Sequence, residues 1–231
     1  MTKVAVSSKQ QELPVHIKSG ILSHYTNWSK FEYWLKYKKI FFGDYAHWED
    51  KSDVAVLKAY EKKINKQVRV LCLMDRSGSF RDSVYHWKAY ANKEDGIRVD
   101  FKKKELLSYL SEYEEIRCQA VEYPNTEDLK KKAKNCENWP FLKRASYMDD
   151  REFRILWVEG SKLFKARRLP VEKDFFKNCI DRITLCSNFS EKFEKMEYIL
   201  KDKYKIKSVC NSQIFRNTDW ENIFLLQEHS F

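Results

Sequence analysis

The sequence is poor in the residues that loops and linkers use. Its 231 residues include only five Gly and four Pro, too few for long irregular linkers. It also lacks any run approaching the roughly 20 apolar residues of a membrane-spanning helix, and its N-terminus has no apolar segment of a signal peptide. We therefore expect a soluble, cytoplasmic protein with a polar lead-in over residues 1–19 and one domain over residues 20–231.

Several motifs of large enzyme classes are missing as well. There is no G-x-G-x-x-G or Walker loop for nucleotides, no H-E-x-x-H for zinc peptidases and no G-x-S-x-G for serine hydrolases. The six cysteines are scattered, without a C-x-x-C pair or a Cys/His ligand spacing. This pattern indicates reduced thiols in the cytosol and excludes a disulfide framework or a zinc site.

Positive charge and aromatic side chains are abundant. Lys and Arg outnumber Asp and Glu by 44 to 34, which gives a net charge of +10, and aromatic residues make up 15% of the chain. A positive surplus favours a polyanionic partner or substrate. The basic residues form short dispersed clusters, however, and each cluster alone is typical of a solvated helix or loop face.

Apolar periodicity predicts strands and helices that interleave without the regular β-α-β spacing of a doubly wound sheet. We therefore predict the α+β class. The predicted strands are 21–26, 39–42, 68–74 (the central strand), 96–101, 116–123, 152–158, 162–169 (a hairpin partner of the preceding strand), 180–185 and 204–209. The predicted helices are 29–38, beginning with the capping box Ser29–Glu32, and 53–63, 85–90, 103–115, 125–136 and 188–203.

The segment 147–158 combines an acidic turn with a predicted strand. Apolar side chains alternate from Phe153 onward, which puts Glu152 and Arg154 together on the opposite face. A carboxylate at the mouth of a strand, with an arginine two residues on, is typical of a catalytic pair and also of a solvated rim. The pattern alone favours the solvated rim, because Glu and Arg side chains are mostly exposed.

Other candidate residues have structural explanations too. His24 fits a buried core histidine, and Trp87 and Tyr90 fit the core face of a helix. The loop over residues 43–53 concentrates acidic side chains, which raises a metal-dependent nuclease as a weaker alternative. Its carboxylates, however, have no recognised ligand spacing. They are Asp44, Glu49, Asp50 and Asp53.

Seven short motifs, in their order and spacing, resemble a prokaryotic domain family found among abortive-infection and phage-defence genes. They are HYT at 24–26, W-E-D-x-x-D at 48–53, LCL at 71–73, HWKAYA at 86–91, GIRVDF at 96–101, PFLKR at 140–144 and EFRI at 152–155. Asp150 departs from the glutamate expected in an E-x-E-x-R arrangement. That family in turn resembles the ADP-ribosyltransferases, notably the DarT-type modifiers of nucleic acid and the His-Tyr-Glu class.

The resemblance implies a split mixed sheet that holds NAD, as co-substrate, in a cleft. It implies that His24 binds a ribose hydroxyl, that Tyr90 stacks on the nicotinamide, with Tyr45 as the alternative, and that Glu152 is catalytic. The full set of implied NAD-binding residues is His24, Tyr25, Thr26, Trp87 and Tyr90. No metal is implied.

The implied chemistry fits these residue types. Cleavage of the nicotinamide–ribose bond passes through an oxocarbenium-like species, which a fixed carboxylate stabilises. Glu152 is also expected to hold the ribose 2′-hydroxyl and to accept the nucleophile's proton. We expect Lys143, Arg144 or Arg154 to bind the pyrophosphate or an acceptor phosphate.

The expected acceptor is a nucleic acid, RNA before single-stranded DNA, because basic and aromatic side chains suit phosphates and bases. The resemblance further implies a toxin or phage-defence effector with a neutralising antitoxin partner. Two alternatives remain open. One is an NAD glycohydrolase that uses water as acceptor in the same cleft, and the other is a non-enzymatic nucleic-acid-binding defence protein.

Overall fold

A seven-stranded mixed sheet organises the part of the chain that the computed structural model describes, which is residues 20–76, 83–91, 95–160, 167–186, 192–215, 217 and 221. The strands are β1 (Ile21–Asn27), β2 (Lys39–Phe41), β3 (Val68–Asp75), β4 (Gly96–Lys102), β5 (Ile116–Ala120), β6 (Glu152–Val158), β7 (Arg168–Pro170), β8 (Ile180–Leu185) and β9 (Val209–Asn211). The strand order is β5-β6-β3-β1-β4-β8-β9, and β2 pairs with β7 in a separate ribbon. The α+β class is confirmed.

Helices connect most of these strands. They are α1 (Trp28–Tyr37), α2 (Lys51–Ile64), α3 (Val84–Tyr90), α4 (Lys103–Leu110), α5 (Thr126–Lys132), α6 (Phe175–Cys179) and α7 (Phe193–Tyr198), with 3₁₀ turns at Tyr45–His47, Cys136–Phe141 and Ala145–Asp150 and a π turn at Ile199–Lys203. Side-chain caps set several starts. Asn27 Oδ1 accepts a hydrogen bond from the Lys30 N–H at 3.0 Å, and Asp50 caps α2 in the same way. Within the described residues, no helix combines the length and the apolar character that crossing a membrane requires.

Several local predictions are corrected. The N-cap of α1 is Asn27 and not Ser29, because the helix starts at Trp28. The helix predicted over 103–115 ends at Leu110. Most of the strand predicted over 162–169 lies outside the described residues. Its described end falls in β7, which pairs with β2 and not, as predicted, with β6. The lead-in 1–19 lies outside the described residues, as does most of the turn predicted at 76–79.

The central feature of the sheet is a split between β1 and β3. These strands pair at only two positions, Leu22 with Asp75 and Ser23 with Met74. In contrast, β1 pairs with β4 at seven positions, and β3 pairs with β6 at seven. Beyond Ser23 the two strands therefore diverge, and the sheet opens on one side of this point.

Strand β6 is buried on both faces. Phe153, Ile155 and Trp157 belong to the larger core, together with the apolar faces of α1 and α4. Leu156 belongs to a second core that the buried side chains of α2 help to form. Because Glu152 and Arg154 share the Leu156 face, they lie between the sheet and the α2 side of the molecule. This placement excludes the solvated rim: Glu152 is 6% exposed and Arg154 0%.

Candidate active site at the split in the sheet

A cavity of about 1160 Å³ lies where β1 and β3 diverge. This volume is somewhat above the range of roughly 300–1,000 Å³ that small-molecule sites usually have. Its walls come from β1, α1, the loop before α2, β3, α3 and the segment that leads into β6. Six of the nine predicted site residues line it: His24, Tyr25, Thr26, Tyr90, Lys143 and Glu152.

Glu152 belongs to a buried charge cluster in the wall of this cavity. Its Oε2 accepts a hydrogen bond from Lys143 Nζ at 2.9 Å, and its Oε1 accepts one from Arg154 Nε at 2.5 Å. Lys143 also donates to Asp150 at 2.9 Å. Asp53 completes the cluster through Arg154. Three carboxylates thus face two cations, which leaves one negative charge in excess.

Arg154 is the rigid centre of the cluster. A guanidinium has five N–H donors, and all five have an acceptor here. One edge binds both carboxylate oxygens of Glu152, the other binds both of Asp53, and Pro140 O accepts the remaining N–H at 2.8 Å. The Trp48 ring lies 5.4 Å from the guanidinium carbon. Arg154 therefore has no donor left for a substrate phosphate, so its predicted phosphate-binding role does not fit the structure.

The cluster fixes the charge state of Glu152. Burial alone would raise the pKa of this carboxyl, but the Arg154 guanidinium, the Lys143 ammonium and the Cys72 thiol outweigh burial and lower it to about 2. The Lys143 pKa is raised, because Glu152 and Asp150 outweigh the opposing effect of burial. At neutral pH, Glu152 is consequently a permanent anion and a weak base.

Tyr90 connects the mouth of the cavity to this cluster. Its hydroxyl donates to Asp150 Oδ1 at 2.9 Å, although the residue as a whole is 46% exposed. Burial of the hydroxyl and the neighbouring Asp150 carboxylate raise the Tyr90 pKa. The position where the family pattern calls for a glutamate is thus occupied by an aspartate that bridges Tyr90 and Lys143.

His24 lies on the opposite side of the split from Glu152. Its ring stacks on Trp34 with centroids 5.2 Å apart and planes 11° apart. Nδ1 lies 3.1 Å from Cys72 O, across the gap between β1 and β3. A carbonyl oxygen only accepts, so Nδ1 carries the proton and Nε2 is an acceptor. Burial, and to a smaller degree the charge on Lys30, lower the His24 pKa to about 4 despite the opposing Cys72 bond.

Besides Arg154, three predicted positions lie outside the cavity lining. Trp87 is 1% exposed and is not part of the lining, because its indole packs edge-on against Tyr25 at 5.4 Å. It therefore has no face available for a nicotinamide. Arg144 lies outside the lining with its side chain 55% exposed. Tyr45, the alternative to Tyr90, is 3% exposed in the second core and lines no part of the cavity.

Sequence reasoning missed several residues of the cavity wall. Arg168 on β7 lines it and lies over the Tyr33 ring at 4.9 Å. Its Nε is buried without a hydrogen-bond partner among the described residues. Lys30 on α1 adds a second cation to that wall. In the sequence, Arg168 belongs to one of the short basic clusters, and no local signal distinguishes it from a solvated loop.

The acidic loop over residues 43–53 does not form a metal site in the described residues. Its carboxylates are used separately. Asp44 caps the 3₁₀ turn and pairs with Arg167 at 3.2 Å, whereas Asp50 caps α2 and Asp53 pairs with Arg154.

Comparison with known proteins adds no neighbour. No protein-family model, no curated protein and no solved structure matches the chain. The case for a function accordingly rests on the geometry of the cavity.

Proposed function

We propose that this protein is an NAD-dependent ADP-ribosyltransferase with a nucleic-acid acceptor, on a split sheet of the kind that this enzyme class uses. One observation carries the proposal. His24 on β1 and Glu152 on β6, which lie 128 positions apart in the sequence, line the same cavity on opposite sides of the β1–β3 split. A histidine for the ribose and a late-strand glutamate for the reacting carbon are the two positions that the resemblance requires.

The charge cluster supplies the catalytic effect. When the bond between C1′ and the nicotinamide nitrogen breaks, its electron pair leaves with nicotinamide and the ribose becomes oxocarbenium-like. A fixed anion stabilises that positive charge more than it stabilises the ground state. Glu152 is ionised at any physiological pH, and the cluster around it carries the excess negative charge described above.

The acceptor step follows from the same electrostatics. A lone pair on the acceptor oxygen or nitrogen forms the new bond to C1′, and the acceptor then loses its proton. With a pKa of about 2, Glu152 is a poor recipient of that proton, so the proton passes to solvent. The role of Glu152 is therefore electrostatic, and general-base catalysis by this residue is not part of the proposal.

The cavity wall divides into two parts that suit the two ends of NAD. The anionic part contains Glu152 and the loop before α2, and it suits the ribose that becomes cationic. The cationic and aromatic part contains Arg168, Lys30 and the stacked pair of His24 and Trp34, and it suits the pyrophosphate and the adenosine ribose. His24 Nε2 accepts from a ribose hydroxyl. Tyr90, half-exposed at the mouth, offers its ring to the nicotinamide.

The mouth of the cavity supports a nucleic-acid acceptor. Tyr85 is 50% exposed and lies 6.3 Å from the Tyr90 ring, edge-on. Both tyrosines line the cavity, as does Lys88 one helical turn from Tyr85. Since the Tyr90 ring is assigned to the nicotinamide, Tyr85 is the tyrosine that stacks an unpaired base, and Lys88 neutralises a phosphate. Because stacking needs an accessible base face, RNA or single-stranded DNA fits better than a duplex.

The test is to incubate the purified protein with NAD labelled in the adenylate part and, separately, with RNA, single-stranded DNA, duplex DNA and cell-lysate protein. Label transfer to RNA or single-stranded DNA, lost in Glu152→Gln, is the expected result. Glu137→Gln is the matched control, because Glu137 also pairs with an arginine, at 2.6 Å, but lies outside the cavity lining.

Other outcomes select the alternatives. Nicotinamide release without a labelled macromolecule would assign the glycohydrolase, and nucleic-acid binding without NAD turnover would assign the binding protein. The toxin role is tested separately by inducing the protein in bacterial cells. Growth arrest by wild type, relieved by Glu152→Gln at equal expression, is the expected result.

A further inference from the structure

The two carboxylate oxygens of Asp50 have unequal surroundings. Oδ1 accepts from the Ser52 backbone N–H at 3.0 Å and from Arg144 at 2.9 Å. Oδ2 is buried and has no hydrogen-bond partner in the segments that the structure describes. The side chain is only 8% exposed. Asp50 nevertheless lines the same cavity as Glu152.

Neither the helix cap nor the ion pair with Arg144 gives the second oxygen a partner, because both use Oδ1. An N-cap needs one acceptor, and asparagine or serine caps a helix as well as aspartate does. Most buried polar side-chain atoms have a hydrogen-bond partner, and a buried charged oxygen without a donor is costly. A carboxylate kept in a cavity wall, with one oxygen used by the fold and the other unpaired, is a binding group for a ligand that brings its own donor.

We propose that Asp50 Oδ2 accepts a hydrogen bond from a ribose hydroxyl of the bound dinucleotide. This inference rests on the proposed function. Because Oδ2 only accepts hydrogen bonds, the ligand group that meets it must be a donor. The same anionic oxygen repels phosphate, so we place the pyrophosphate at the Arg168 part of the wall. Asp50 is the cap of the helix whose Asp53 holds Arg154 and, through it, Glu152. A ribose seated against the Glu152 cluster therefore brings hydroxyl donors to the Asp50 side of the cavity.

The test uses Asp50→Asn and calorimetric titration with NAD. The amide retains Oδ1 as the cap and replaces the unpaired anionic oxygen with an N–H₂ group. The dissociation constant for NAD should rise about 10- to 100-fold, as expected for losing a hydrogen bond to a charged acceptor. Asp44→Asn is the matched control: Asp44 caps the neighbouring 3₁₀ turn but is not part of the lining. NAD affinity should not change in that variant.

Analogues identify the donor. The titrations are repeated with NAD analogues that each lack one ribose hydroxyl, and with an analogue that carries hypoxanthine in place of adenine and so lacks the exocyclic amine. One deoxy analogue should bind wild type more weakly than NAD does, by about the factor by which Asp50→Asn weakens NAD binding. Asp50→Asn should bind that analogue and NAD with equal affinity.

Each contrary result has its own meaning. Wild type that binds NAD, with Asp50→Asn binding equally well, overturns this inference and leaves the proposed function intact. If Asp50→Asn fails to distinguish NAD only from the hypoxanthine analogue, the ribose assignment is overturned, because the donor is then the adenine amine. Wild type that does not bind NAD overturns the proposed function and this inference together.

Discussion

Two buried pairs of arginine and carboxylate lie on the same face of the sheet and differ in what surrounds them. In both, the partners are two residues apart on one strand: Glu152 with Arg154 on β6, and Arg98 with Asp100 on β4. Glu152, Met74, Ser23 and Asp100 are successive cross-strand neighbours. At roughly 4.8 Å per strand, the two carboxylates are about 14 Å apart.

Asp100 is held entirely by the fold. It accepts from Ser23 Oγ at 2.6 Å, from Arg98 Nε at 2.9 Å and from Arg76 Nη1 at 3.5 Å, and Thr184 accepts from Arg98 at 3.1 Å. Neither Arg98 nor Asp100 lines the cavity, whereas Glu152 does. The same strand pattern thus gives a structural ion pair where the sheet is continuous and a candidate catalytic group where the sheet is split.

Replacing the two arginines breaks both pairs. Arg154→Met removes the cation shared by Glu152 and Asp53, and Arg98→Met removes the bidentate partner of Asp100. Each should lower the free energy of unfolding by about 3–5 kcal/mol, because a buried carboxylate is left uncompensated. Urea unfolding with an unchanged m value measures the loss. A loss under about 1 kcal/mol would mean that the remaining partners or water compensate the carboxylates.

The second prediction separates the two pairs by function. Glu152→Gln should lower turnover about 100- to 1,000-fold, because the fixed charge at the reacting carbon is lost. Asp100→Asn should leave the turnover of the folded protein unchanged. Both variants should lose about 3 kcal/mol of unfolding free energy, because Glu152 and Asp100 are both buried. Steady-state kinetics below the unfolding temperature decide this, and equal turnover losses in the two variants would remove the distinction.

A smaller loss of turnover is expected when Asp53, which holds Arg154 and through it Glu152, is changed. Asp53→Asn weakens the hydrogen bonds that Asp53 accepts from Arg154 and removes the excess negative charge of the cluster. We expect turnover to fall about tenfold, as loss of an interaction of about 1.4 kcal/mol would produce, with less change in KM. Asp44→Asn in the same loop is the control. An effect on KM alone would assign Asp53 to substrate binding instead.

The last prediction concerns the pH dependence of stability. The His24 pKa is about 4 in the folded protein and about 6.5 in the unfolded chain. The unfolded state therefore binds the proton first as pH falls. The stability contribution of neutral His24 is fully present above pH 6.5 and is lost as pH falls toward 4. His24→Phe, which keeps the stacked ring, should show a shallower decline of unfolding free energy over this range. Identical slopes in wild type and variant would contradict the lowered pKa.

Much of the local structure could be predicted from the sequence. Alternation put Phe153 and Glu152 on opposite faces of β6, and the apolar run over 68–74 predicted the strand found at Val68–Asp75. These predictions succeed because the pattern of apolar residues reports which sides of an element face a core. The same reasoning put Glu152 and Arg154 on one face, which the structure confirms through their contact at 2.5 Å.

The rest depended on contacts between distant segments. Asp53 meets Arg154 across 101 positions, and nothing in either local pattern specifies that pairing. The burial of Glu152 follows from α2 and its neighbours covering that face, which alternation along β6 does not report. Strand β7 pairs with β2 and not with the adjacent β6, because proximity in sequence does not fix strand pairing. Trp87 was assigned to the cavity although its helix turns it into the core.

Calorimetric titration of NAD into wild type, His24→Phe and Asp100→Asn shows whether residues on both sides of the β1–β3 split form one NAD site. Wild type should bind NAD, His24→Phe should bind it at least about tenfold more weakly because the Nε2 acceptor is lost, and folded Asp100→Asn should keep the wild-type affinity. Equal affinity in wild type and His24→Phe, or no binding of NAD by wild type, would contradict a single NAD site across the split.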